Sequence, residues 1–283
     1  MSDVAKLAVL GHPISHSLSP VMHEAAYQAL GICASYTAID VLPDDLYCTL
    51  QAFCEEGYRG VNLTIPHKVA AVFRMDEITA RAKRIGAVNT VTFENGRMHG
   101  DNTDGEGWLR SFVAETGFTV ADKQAVVLGA GGAARAIVDT LLFAQCKTVT
   151  ILNRSVDRAQ RLVNEMALWH RHDALFCGSL HDVDLSNADL IVNTTSVGLM
   201  GALQDQAPVS LDTVKSGAIV SDIVYRPRVT RLLSDAKAHG ATVHEGLGML
   251  LYQGALAIKR WFGVFPPIEP MKDAVVEVLD QGR

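Results

Sequence analysis

The chain has 283 residues, of which 48% are hydrophobic and 20% charged, with a net charge of −6. That length suggests about two domains with sizeable cores, and the acidic balance argues against a nucleic-acid partner. The five cysteines contain no C-x-x-C pair, and the ten histidines are scattered with no H-E-x-x-H. Neither a disulfide scaffold nor a metal site is expected, and His170 and His172 read as surface histidines. No apolar run is long enough to span a bilayer. Met1-Ser2-Asp3-Val4 lacks the basic and apolar stretches of a secretion signal. A cytoplasmic location with no membrane partner is the expectation.

In chain order, Lys6 to Leu10 predicts a strand, and Gly11-His12-Pro13 turns out of it. Ser19 is expected as the N-cap of the next helix, with Pro20 at its first position. That helix runs to about Leu30, where Gly31 stops it. Tyr36 to Val41 is a second strand, Pro43 opens a helix ending near Gly57, and Gly60 to Ile65 is a third strand cut off by Pro66. A short helix is expected to carry Lys68 and Val69. Ala87 to Phe93 and Arg97 to Gly100 form a hairpin around Asn95-Gly96, a strong turn dipeptide. Asp104 to Thr116 is helical and leads into the second domain.

The second domain opens on Ala125-Val126-Val127-Leu128, the length of a buried strand, followed by Gly129-Ala130-Gly131-Gly132-Ala133-Ala134. This is G-x-G-x-x-A between a strand and an Ala-rich helix (Ala133 to Phe143). Gly129 allows the tight turn, Gly131 lets a pyrophosphate approach the backbone, and Ala134 lets helix and strand pack closely. The phosphates would meet free N–H groups at the helix start. Thr148 to Leu152 is the next strand. An NAD site usually places a carboxylate about 20 residues past the glycines, whereas this strand ends in Asn153, Arg154 and Ser155, with Arg158 a helical turn on. Guanidiniums match phosphate oxygens in a fork, so NADP is expected over NAD. Strands at Leu175, Leu190 to Val192 and Ile219-Val220 complete an alternation of strand and helix, a doubly wound parallel sheet of Rossmann type that closes near Val243. Helices from Leu247 to Trp261 and from Pro270 to Leu279 return to the first domain. The fold class is therefore α/β, with a discontinuous first domain and the cleft between domains as the expected reaction site.

The chemistry-bearing residues of the first domain each have a plain structural alternative. Ser17 and Ser19 stand at a helix start and could simply cap it; two hydroxyls there could also grip a carboxylate. Thr64 stands at a strand end, and Lys68 just beyond it could be a solvated surface charge. Asn89 is an odd choice within a β-rich run. Gly100-Asp101-Asn102-Thr103-Asp104-Gly105 is crowded with polar groups, and Thr103 or Asp104 could serve as a helix N-cap. Gln253 sits in an apolar helix, where a buried amide needs partners.

Together these segments resemble the shikimate dehydrogenase family over nearly the whole chain. The resemblance rests on GHPISHSLSP from Gly11, NLTIPHK from Asn62, GAVNT from Gly86, DNTDG from Asp101, VLGAGGAARA from Val127, NRS-x-x-R from Asn153, NTTSVGLM from Asn193, DIVYRP from Asp222 and GLGMLLYQG from Gly246. It implies a substrate domain from residues 1–105 and 246–283, an NADP-binding domain from residues 106–245, and reversible NADP-linked reduction of 3-dehydroshikimate to shikimate. Carried over by position, Lys68 and Asp104 would be the catalytic pair. Ser17, Ser19 and Tyr225 would bind the substrate carboxylate, and Thr64, Asn89, Asp104 and Gln253 its hydroxyls. The cofactor set would be Gly129, Ala130, Gly131, Gly132, Ala133, Asn153, Arg154, Ser155 and Arg158, with Ile223, Gly246 and Met249. Quinate/shikimate paralogues using NAD, and a non-catalytic nucleotide-binding regulator on the same fold, are the alternatives. The expected partner is a small molecule, and the expected state a monomer or homodimer.

Overall fold

The computed structural model describes residues 4–181 and 183–281. The chain divides into two compact units, Met1–Gly107 with Leu251–Arg283, and Trp108–Leu250. Both are α/β.

The first unit holds β1 (Ala5–Gly11), α1 (Ser19–Leu30), β2 (Ala34–Asp40), α2 (Leu46–Glu55), β3 (Gly60–Leu63), β4 (Glu77–Ile78), α3 (Ala80–Ile85), β5 (Thr90–Glu94) and β6 (Arg97–Asp101). Helix α4 (Asp104–Thr116) then contains one unit boundary, and α8 (Leu247–Phe262) the other, before α9 (Ile268–Asp280). The sheet is mixed, in the order β2-β1-β3-β5-β6-β4. β1 pairs in parallel with β2 and β3, whereas β3–β5 and β5–β6 are antiparallel. The β5–β6 hairpin turns at Asn95 (φ 53°) and Gly96 (φ 73°), two consecutive left-handed residues, as an Asn-Gly turn of this kind requires. One face of the sheet packs Ala8, Leu10, Val61 and Val91 against Leu46, Leu50 and Phe53. Elsewhere in the unit, Trp261 of α8 donates to the Val91 carbonyl at 3.0 Å, and His23 of α1 stacks on Tyr36 at 3.9 Å.

The second unit holds β7 (Gln124–Leu128), α5 (Gly132–Phe143), β8 (Thr148–Leu152), α6 (Val156–Met166), β9 (Leu175–Gly178), β10 (Leu190–Asn193), β11 (Ile219–Asp222), α7 (Arg231–Ala238) and β12 (Thr242–His244). All strands are parallel, in the order β12-β11-β10-β7-β8-β9. Numbered within the unit this is 3-2-1-4-5-6 read from β9, the dinucleotide-binding order. Successive strand residues go to opposite buried faces. Val127 joins Trp108, Ile137, Leu141 and Leu162, while Val126 and Leu128 join Leu185, Leu211, Leu232 and Leu233. This two-sided burial explains why β7 reads as a continuous apolar run.

Four local expectations need correction. Helix α1 starts at Ser19 itself, with Leu18 at the cap position and no side-chain cap. The Ser19 N–H donates to Ser17 Oγ at 3.3 Å, so the upstream serine, outside the cap position, satisfies the first N–H of the helix. Lys68 lies in a turn before a 3-10 segment, Ala70–Arg74, not in a helix. Strand–helix alternation lapses after β9, since no helix is present among the described residues between β9 and β11. His170 is no surface histidine, because its Nε2 lies 2.7 Å from Asp139 Oδ1 and its side chain is only 9% exposed. Sequence reading also passed over β4 and α3, which are too short for a periodic signal. No helix among the described residues is long and apolar enough to cross a membrane.

Candidate active site

In the first unit the polar groups converge on the start of α4. The ends of β3, β5 and β6 lie side by side there, because Leu63 donates to the Asn89 carbonyl (2.8 Å) and Asn89 to that of Asp101 (3.0 Å). The turn after β3 is tied in as well, since the Lys68 carbonyl accepts from the Val88 N–H at 2.8 Å. This brings Lys68 Nζ to 2.7 Å from Asp104 Oδ2. The lysine side chain is 17% exposed and the aspartate 3%, so the pair is a nearly dry ion pair with one open flank.

Asn89 is the hub that holds it. Its amide donates to Asp104 Oδ1 at 2.8 Å and to Thr103 Oγ1 at 3.0 Å, and lies 3.5 Å from Gln253 Oε1. Its carbonyl oxygen accepts from the Thr103 N–H at 2.8 Å and from Thr90 Oγ1 at 2.9 Å. An asparagine that looked out of place for a strand therefore sits just before β5, buried, with both ends of its amide used. Thr103 spends its hydroxyl on Asn89 and Thr90 while its carbonyl accepts the Gly107 N–H at 2.9 Å. Asp104, first residue of α4, has its own N–H held by Asn102 Oδ1 at 3.0 Å, and its charge sits at the favourable end of the helix dipole.

Sequence reading missed Arg81. From α3 its Nε and one terminal nitrogen fork onto the two oxygens of buried Asp101, both at 2.8 Å, and the other terminal nitrogen reaches Glu106 at 2.5 Å. These ion pairs flank residues 102–105 and fix the segment that carries Asp104. The forked bonds hold the Asp101 carboxyl below the usual carboxylate range against the burial that would raise it. No local pattern announces a pair so far apart in sequence.

Ser17 and Ser19 lie where the chain enters α1. Asp40, at the end of β2, anchors the same loop by accepting from the Ile14 N–H (3.2 Å) and by bonding His12 Nδ1 (2.6 Å). The His12 bond is the main reason its carboxyl lies below the usual value. Thr64 follows β3, with its N–H on the Leu10 carbonyl at 2.9 Å.

In the second unit the loop after β7 has the geometry of a phosphate cradle. Gly129 adopts φ +110°, and a Cβ there would sit 2.7 Å from Thr194 Oγ1, so no other residue fits. Gly131 caps α5 without a side chain, and a Cβ at that position would meet only open space. The first N–H groups of α5, from Gly132 and Ala133, are thus approachable by an anion. Beyond β8, Asn153 Nδ2 donates to the Ser155 carbonyl at 2.9 Å and shapes the turn. Arg154 and Arg158 are exposed, and among the described residues neither guanidinium has a hydrogen bond or ion pair, whereas Arg135 pairs with Glu165 and Arg161 bonds the Asp157 carbonyl. Two unpartnered guanidiniums and no carboxylate suit a phosphate. Ile223, Gly246 and Met249 also come together, because Gly246 abuts the Ile223 backbone and Ile223 and Met249 share one apolar cluster. Tyr225 is half-buried beyond β11.

Comparison with known proteins shows the family. Residues 9–91 match the family model of the shikimate dehydrogenase substrate binding domain, residues 113–225 that of shikimate / quinate 5-dehydrogenase, and residues 246–276 that of the shikimate 5'-dehydrogenase C-terminal domain. The chain is 43% identical to the shikimate dehydrogenase (NADP(+)) of Geobacillus kaustophilus, over 96% of this chain and 97% of that one. A crystal structure of a shikimate dehydrogenase in complex with NADP+ superposes with a TM-score of 0.92 at 39% identity, covering 98% of this chain and 96% of the other. The Thermus thermophilus shikimate 5-dehydrogenase in complex with NADP(H) and shikimate gives 0.88 at 39% identity, covering 98% and 100%. The chain belongs to the shikimate dehydrogenase family.

Proposed function

We propose that this chain is an NADP-dependent shikimate dehydrogenase, catalysing the reversible reduction of 3-dehydroshikimate to shikimate. The observation that carries the proposal is the Lys68–Asp104 pair, 2.7 Å apart and locked by Asn89. Residues 1–105 and 246–283 are assigned to the substrate and residues 106–245 to the cofactor. Gly129 to Ala133 would hold the pyrophosphate; Asn153, Arg154, Ser155 and Arg158 the 2′-phosphate; Ile223, Gly246 and Met249 the remainder. When bound, the cofactor supplies the hydride in reduction and accepts it in oxidation.

In the reductive direction negative charge grows on the ketone oxygen as the carbonyl carbon is reduced. Lys68 Nζ stabilises that charge and delivers a proton to the oxygen. In oxidation it takes the hydroxyl proton. Asp104 keeps the amine oriented and, with Asn89, Thr64 and Gln253, binds ring hydroxyls. Ser17, Ser19 and Tyr225 bind the carboxylate. A sensor of nucleotides needs no such proton-transfer pair, which disfavours a regulator. A cytoplasmic location and a monomeric or homodimeric state are part of the same proposal. Initial rates with shikimate and quinate, each with NADP and NAD, test the reading. Turnover of shikimate with NADP should dominate, and a preference for quinate with NAD would overturn it.

A further inference from the structure

A buried carboxylate of the second unit has no part in the mechanism above. Asp222 ends β11, fully buried, in register with Asn193 at the end of β10, which is in register with Leu128 at the end of β7. Three donors converge on it. Asn193 Nδ2 and the Val224 N–H both reach Oδ1 at 3.0 Å, and Thr230 Oγ1 reaches Oδ2 at 2.7 Å. All three are neutral, so no cation offsets the cost of burying this charge. A carboxylate accepts from all three at once, whereas an asparagine amide offers a single acceptor oxygen.

The contacts radiate into two loops. Thr230 caps α7 and closes the segment 223–229, which carries Ile223 and Tyr225. Asn193 Oδ1 accepts from the Thr195 N–H and hydroxyl at 3.0 and 2.7 Å, and its amide also reaches the Val197 carbonyl at 3.2 Å, so it shapes the segment 194–200. The loops are joined again where Met200 donates to the Arg226 carbonyl at 2.9 Å. Thr194, next to Asn193, bonds the Leu128 carbonyl at 2.6 Å and is the residue against which Gly129 is packed.

We propose that Asp222 is a positioning residue that staples the loops 194–200 and 223–229 together, and so sets Tyr225 for substrate in register with the glycine loop. The kinetic half rests on the assignment of Tyr225 as a substrate ligand; the staple itself does not. Asp222→Asn replaces one of the two acceptor oxygens by an N–H group and removes the charge that strengthens the remaining bonds, Thr230→Val removes one donor, and Thr230→Ser retains it. Amide hydrogen exchange on the full chain should show faster exchange in both loops for Asp222→Asn and Thr230→Val, with β7 and β8 unchanged and Thr230→Ser like the wild type. Acceleration in one loop only, or in neither, overturns the staple. KM for shikimate should rise roughly five- to tenfold, about the worth of one hydrogen bond, and the effect should largely vanish in a Tyr225→Phe background. Full additivity with Tyr225→Phe, or an unchanged KM beside two loosened loops, overturns the positioning role. If Tyr225→Phe alone leaves KM for shikimate unchanged, the assignment of Tyr225 fails and the positioning role fails with it, while exchange still decides the staple. Where Asp222→Asn does not fold, the Thr230 pair gives the same readouts.

Discussion

Lys68→Ala separates the chemical and structural roles of one ammonium group. Among the described residues the Asp104 carboxylate bonds the Lys68 ammonium at 2.7 Å and the neutral Asn89 amide at 2.8 Å, so Lys68 is its cationic partner. Removing one partner of a buried ion pair costs about 3–5 kcal/mol, because the other charge is left stranded. The 17% exposure of Lys68 lets water into the vacated space, and the Asn89 bond survives, so a loss of about 3 kcal/mol is expected. A second substitution, Asp104→Asn, removes the stranded charge and should return most of that loss. Activity should not follow. A missing general acid–base group lowers kcat by about 10²–10⁴, and the double variant should be as slow as the single one or slower. Lys68→Arg should keep stability without rescuing kcat, since a guanidinium does not release a proton near neutral pH. Urea unfolding and steady-state rates on the four proteins, with KM for NADP as the control, read both effects. A Lys68→Ala enzyme with near-normal kcat refutes the mechanism, and one whose instability is untouched by Asp104→Asn refutes the ion-pair argument.

Replacing Arg154 and Arg158 together by Ala should raise KM for NADP strongly and leave NAD use nearly unchanged, because only the 2′-phosphate distinguishes the two; equal losses with both cofactors would sink the assignment. Ser17→Ala should raise KM for shikimate with no change in NADP affinity, and an unchanged KM with unchanged kcat would count against the carboxylate site. Burial pushes the Asp222 carboxyl up from 3.8 to about 6, although its three donors pull it down. The folded state therefore holds this proton more tightly than the unfolded chain. The stabilising contribution, about 3 kcal/mol, is complete below the unfolded value and is lost as pH rises through about 6. Asp222→Asn should flatten that part of the curve in urea unfolding between pH 4 and 7, and an unaltered slope would show that another group titrates there.

The sequence by itself determined what depends on neighbouring residues. Asn95-Gly96 dictates a hairpin because both positions need left-handed backbone. Gly129, Gly131 and Ala134 between an apolar run and an Ala-rich helix dictate the phosphate loop, and the absence of a carboxylate after β8 points to the extra phosphate. Helix α4 was legible to the residue, Asp104–Thr116, since its polar entry and apolar periodicity are local. Tertiary structure alone decided the partners. Lys68 and Asp104 stand 36 residues apart, and only the side-by-side ends of β3, β5 and β6 bring them together. Asn89 looked misplaced until its amide was seen to satisfy Thr103 and Asp104 at once. No local pattern in the sequence marked a role for Arg81 or for Asp222. The start of α1 moved because the Ser17 hydroxyl, not that of Ser19, is aimed at a free N–H. Propensity and periodicity act over a few residues, whereas a buried charge is placed by donors from distant strands, and those become neighbours only once the sheet has formed.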